Sequence, residues 1–223
     1  MDFYRKTAVV VGILFLIATL VLIIGGVFSL TINEPDYLIS TFSNENQIIF
    51  GAIIEIVSAA AIVGIPIAMF PILKKYSEGL ALGYVATRII EGLTVFLNTI
   101  VLLAILSLSR QFVSTPVPDV FYFQATGELL LSMRSWISIL VDFSFPIGAL
   151  IFNYLLYKTR LTPRWIAILG NVGAVLWLAT APVRMFGFSP EWMDTLAAPI
   201  AIQEMVLAVW LIIKGFNTSS IEQ

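Results

Sequence analysis

Six long blocks of apolar residues, separated by short polar connections, constrain this chain more than anything else in its sequence. They run at about 7–30, 47–73, 79–106, 133–157, 164–186 and 193–215. At 1.5 Å per residue, blocks of ~23–28 residues make helices of ~35–42 Å, enough to cross ~30 Å of hydrocarbon with some tilt. A backbone in hydrocarbon must satisfy its own polar groups, and a helix does so within one segment. With their connections the six blocks take up nearly all of the 223 residues. The expected fold is therefore an all-α membrane protein, a single domain built as a bundle of six transmembrane helices. Composition agrees: 12% of the residues are charged, about half the ~25% of a soluble domain.

The first block follows Arg5 and Lys6, as a signal peptide would. A cleavable signal has an apolar core of only ~7–15 residues and a small-x-small cleavage site, whereas this block is about 24 residues long. It ends at Gly25-Gly26-Val27-Phe28 without such a site, and reads as a retained helix. Pro66, Pro71, Pro146, Pro182 and Pro199 fall inside or near the ends of blocks. In a membrane they mark kinks rather than ends, because neighbouring helices re-satisfy the freed carbonyls.

Basic residues orient the bundle. Arg5, Lys6, Lys74, Lys75, Lys158, Arg160, Arg164 and Lys214 share one side, eight in all; Arg110, Arg134 and Arg184 lie on the other, and Arg88 is inside the membrane. The expectation is a multi-pass protein of the cell membrane with both termini cytoplasmic. The acidic segment 31–46 then faces outward, as does the longest connection, 107–132. This connection holds Pro116, Pro118 and Asp119, then the aromatic run Phe121-Tyr122-Phe123. A short interfacial helix over about 119–131 is expected there, serving either as an aromatic anchor at headgroup level or as a lid.

Chemistry in a bilayer resides in its ionisable residues, each costing about 2.5–3.5 kcal/mol at mid-depth. Glu55, Arg88, Glu91, Asp142 and Glu204 stand inside the blocks. Tyr84, Arg88, Glu91 and Asn98 follow a helical stripe on the third block; Ser135, Ser138 and Asp142 follow one on the fourth. Asn171 and Gln203 add amides from the last two blocks. Depth counting allows all five charged groups to meet in one layer. Four carboxyls would there share one guanidinium, an excess of acid, although Arg134 or Arg184 can reach Asp142 from the outer end. The first block has no ionisable residue inside and is expected to pack peripherally.

Two readings stay open. The cluster Glu55, Arg88, Glu91, Asp142, Glu204, with Asn98, Asn171 and Gln203, either lines a site for an ion, proton, small solute or lipid, or is a structural latch in a scaffold or accessory subunit. Cys and His are both absent. Thiolate and imidazole nucleophiles, haem or zinc held through imidazole, and disulfides are thereby excluded. No Gly-x-Gly-Asp aspartyl-protease context and no Asp-rich prenyltransferase motif occurs either. The sequence thus argues against an enzyme, no cofactor or metal is expected, and oligomeric state is left open. A net charge of −2 offers no basic face for nucleic acid. Lys158, Arg160 and Arg164 form a tight basic turn beside Trp165. It reads as a positive-inside anchor or as a site for an anionic lipid headgroup.

Three stretches carry a family resemblance: Arg88-Ile89-Ile90-Glu91-Gly92, the segment from Leu155 to Trp165 containing Lys158-Thr159-Arg160-Leu161-Thr162-Pro163-Arg164, and the segment from Ile202 to Phe216 that opens Ile202-Gln203-Glu204. With the start Tyr4-Arg5-Lys6 they resemble the bacterial integral-membrane family called domain of unknown function 4386, over essentially the whole chain. The resemblance implies a bacterial six-helix membrane protein and brings no catalytic assignment.

Overall fold

The computed structural model describes residues 3–28 and 30–217. Its elements are α1 (Phe3–Phe28), a 3-10 turn (Leu30–Asn33), α2 (Tyr37–Ser43), α3 (Glu45–Leu73), α4 (Glu78–Ser114), α5 (Val120–Thr159), α6 (Arg164–Met185), a 3-10 segment (Glu191–Ala197) and α7 (Ala198–Ile213). Ser29, within the first expected block, lies outside the described residues. No strand occurs among the described residues. Six segments are long and apolar enough to cross a membrane: α1, α3, α4, α5, α6, and α7 with its 3-10 lead. Pro66, Pro71, Pro146 and Pro182 all lie inside helices that continue past them.

The spanning helices close into a ring, each packed on its neighbours in the order α1, α3, α4, α5, α6, α7 and back to α1. Small residues permit the close approach that membrane helices rely on. Gly12, Gly92, Gly148 and Gly173 face α7, α3, α4 and α7 respectively, where a Cβ would come within 2.6 to 2.8 Å of an opposing atom. Inside the ring, Phe15, Tyr84 and Phe152 stack at the middle of an aliphatic core that includes Ile65, Met69, Leu155 and Leu207. Outside it, Ile53, Val57, Leu93, Ile100, Val175 and Val209 are exposed along the helices. In water such a surface would drive aggregation; in a bilayer it matches the acyl chains.

Three expectations change. First, 107–132 is not a connection carrying a separate interfacial helix. Its two halves are the ends of α4 and α5, and only residues 115–119 turn. The hydroxyls of Ser107 and Ser109 donate to carbonyls four residues back, so these polar residues continue α4 rather than end it. Asp119 caps α5 by accepting from the Tyr122 N–H at 3.2 Å. The second change is in length. At 37 and 40 residues, α4 and α5 are ~55 and ~60 Å long, beyond the ~40–45 Å of a whole bilayer. A second core of Ile32, Leu38, Ile105, Leu108 and Phe123 buttresses this hairpin against α2.

The third change concerns α1, which is not peripheral. It packs between α3 and α7, puts Phe15 against Phe152, and accepts a 2.9 Å hydrogen bond at the Ala18 carbonyl from Ser58. Within the core it needs no charge of its own, since it meets aromatic rings, the Ser58 hydroxyl through its Ala18 carbonyl, and Glu204 through the Thr19 hydroxyl.

Candidate functional site

The five membrane ionisable residues do not meet in one layer. They separate into three networks, each with its own arginine.

The first network is central. Arg88 lies on α4 one turn from Glu91, and its Nη1 donates to both carboxylate oxygens at 2.9 and 2.8 Å. Its Nη2 reaches Glu204 of α7 at 3.4 Å, and Glu204 also accepts from Thr19 of α1 at 3.2 Å. The guanidinium is surrounded by the rings of Phe15, Tyr84 and Phe145, with centroids 5.6 to 5.8 Å away. Arg88 is 3% exposed and Glu91 4%. Every charge here has a partner, and aromatic faces complete the shell. Three helices are thereby tied at one level.

The second network lies nearer the acidic end. Glu55 of α3 accepts from Thr99 of α4 at 2.8 Å and from Arg134 of α5 at 2.8 Å. Arg134 also donates to the Asn98 carbonyl at 2.7 Å, and the Asn98 amide donates to Ser138 at 3.0 Å. The Asn98 side-chain oxygen is buried without a hydrogen-bond partner among the described residues. A crevice of about 460 Å³ opens onto Arg134, lined also by Ile32, Glu34, Tyr37, Ser135 and Ser138. The Tyr37 hydroxyl, also buried and without a hydrogen-bond partner among the described residues, packs over Gly127, where a Cβ would collide with it. Burial first, and then the Glu128 carboxylate, push this phenol above its ordinary value, so it stays a donor.

The third network belongs to the α5–α6 edge. Asp142 faces Arg184 of α6 at 3.7 Å, and Arg184 pairs in turn with Asp194 at 2.5 Å and lies over the Trp177 ring.

Of the amides, Gln203 donates to Asn153 at 3.1 Å in a buried link between α7 and α5, apart from the charged networks. Asn171 is half-buried and enters none of them. At the basic end, Lys158 lies 6.0 Å from the Tyr154 ring and Arg164 4.9 Å from the Tyr157 ring. Arg160, which ends α5, and Arg164 border a separate cavity.

Sequence reasoning assigned Arg134 and Arg184 to the outer face. Arg184 reaches Asp142 from that end, as the sequence allows, and Arg134 reaches Glu55 instead, so three guanidiniums rather than one face the four carboxyls. Arg134 could have been found by extending α5 back to the Asp119 cap, which sets it 14 residues inside the helix, ~21 Å from its start. Thr19 carries only a weak signal, a lone hydroxyl in an apolar run.

A family model described as "Domain of unknown function (DUF4386)" matches residues 10–215. No curated protein and no solved structure matches the chain.

Proposed function

The chain belongs to the family described as Domain of unknown function (DUF4386), and from that premise we propose that it binds a small polar solute in the crevice above the Glu55–Arg134 pair. On this reading it is a multi-pass protein of a bacterial cell membrane with both termini cytoplasmic, and the crevice opens outward. Eight basic residues on the side of the termini against three on the other support that orientation.

One observation carries the assignment to this crevice. Arg134 both holds a buried carboxylate and borders an open cavity of about 460 Å³, within the size range of small-molecule sites. The lining brings the charged residues Glu34 and Arg134 together with the hydroxyl residues Ser135 and Ser138. Opposite charges with hydroxyls suit a zwitterionic or polyhydroxylated solute better than a bare ion.

Thermal stabilisation of the purified protein by amino acids, betaines and polyols tests this. A responding compound should lose its effect with Arg134→Lys and with Ser138→Ala. Failure of the whole class, or a response indifferent to both substitutions, sinks the proposal.

The second reading is a non-catalytic scaffold or accessory subunit, and the closed Arg88 network favours it. Arg88 and Glu91, at 3% and 4% exposure and with their charges paired, serve a latch better than a passage for solute.

A further inference from the structure

At the end of the bundle opposite the crevice, three cations from two helix junctions converge on a cavity that none of the charged networks uses. Arg160 ends α5 with a φ of 55°, in the left-handed region that glycine usually occupies at a helix end. Arg164 is the first residue of the 22-residue α6, and Lys214 caps α7. The chain leaving α7 is held against the α5–α6 turn by a 2.9 Å hydrogen bond from the Asn217 N–H to the Leu161 carbonyl. This closure forms a cavity of about 440 Å³ lined by Arg160, Thr162, Arg164, Trp210, Lys214 and Phe216, among others. Among the described residues, no carboxylate lines it.

Two further features point to an anion. The Thr162 hydroxyl, on a residue 2% exposed, is buried with no hydrogen-bond partner among the described residues. The first turn of α6, whose amides and dipole favour negative charge, starts at the cavity wall.

A second groove adjoins the first. About 410 Å³ in volume and almost wholly apolar, it runs along the bilayer face of α7 past Met205, Val206, Val209 and Ile213, and it shares Trp210 and Lys214 with the basic cavity.

We propose that the two together bind one anionic phospholipid, with the phosphate among Arg160, Arg164 and Lys214 and an acyl chain along α7. A phosphate could also arrive on a soluble phosphoester, but only a lipid fills both grooves. The site differs from the basic turn seen in sequence, because α7 supplies a cation and the groove, while Lys158 is not among the residues that line the cavity. It is independent of the solute crevice.

Native mass spectrometry of the full chain, titrated with phosphatidylglycerol or phosphatidylcholine of identical acyl chains, tests the proposal. Phosphatidylglycerol should be retained about tenfold more tightly, and Lys214→Gln and Arg164→Gln should each weaken it about fivefold, as ~1 kcal/mol per basic residue corresponds to. Lys158→Gln should leave retention unchanged. Val209→Trp, which fills the groove, should weaken the lipid and leave glycerophosphate binding as it was. Equal retention of the two lipids, or Lys158→Gln weakening retention as much as Lys214→Gln, overturns the site. Glycerophosphate or inorganic phosphate binding as tightly as the whole lipid overturns the lipid in favour of a soluble phosphoester. Helical circular dichroism confirms folding of each variant, and Lys214→Gln, exposed at a helix end, carries the test alone if Arg164→Gln misfolds.

Discussion

Arg88 is held by Glu91, Glu204 and three aromatic faces, so its removal strands two carboxylates at membrane depth. Breaking one member of such a group costs about 3–5 kcal/mol, whereas replacing all its charges with apolar side chains of similar size is close to neutral. Arg88→Met alone should therefore melt well below the wild type. Arg88→Met combined with Glu91→Met and Glu204→Met should recover most of the loss. Thermal melting in detergent followed by helical circular dichroism checks this, and a triple variant as unstable as the single one argues against a latch. The same residues show what sequence can convey. The four carboxyls and Arg88 were legible, because an ionisable group in an apolar run is conspicuous. Their grouping was legible only at Asp142, within reach of an outer arginine; the rest depends on side chains that travel, as where Arg134 reaches Glu55 from another helix.

At the scale of the element, helix contacts are set by backbone proximity. A Cβ on Gly173 of α6 would stand 2.6 Å from the backbone nitrogen of Ile200 on α7, an atom with no rotamer to yield. Gly173→Ala should destabilise the protein by about 1–3 kcal/mol through overpacking. Gly79→Ala, with nothing within 4 Å of the new methyl, should leave the melting temperature at or slightly above wild type. Equal effects of the two substitutions would mean that the α6–α7 contact can slide apart without cost. Helix cores were readable from hydropathy because the hydrocarbon demands unbroken apolar length. The ends of α4 and α5 were not, because beyond the bilayer a helix needs no apolar run, only caps and backbone-directed hydroxyls such as Asp119, Ser107 and Ser109.

For the whole molecule, an even number of crossings puts both termini at one end, and the ring order α1, α3, α4, α5, α6, α7 decides which residues can meet. Hydropathy carries no information on that order, and neither does the lack of an ionisable residue in α1, which packs on both α3 and α7. Which end faces the cytoplasm remains a matter of charge asymmetry, and the absence of cysteine allows a clean test. Val117→Cys, 88% exposed at the turn between α4 and α5, reports on the acidic end; Lys74→Cys, exposed after α3, reports on the basic end. A membrane-impermeant maleimide added to intact cells should label Val117→Cys, and should label Lys74→Cys only after permeabilisation. The reverse pattern would turn the solute crevice toward the cytoplasm and the Arg160–Arg164–Lys214 cavity outward. Orientation thus governs both proposed sites: the crevice needs access to external solute, and the lipid cavity needs the leaflet that its basic residues face.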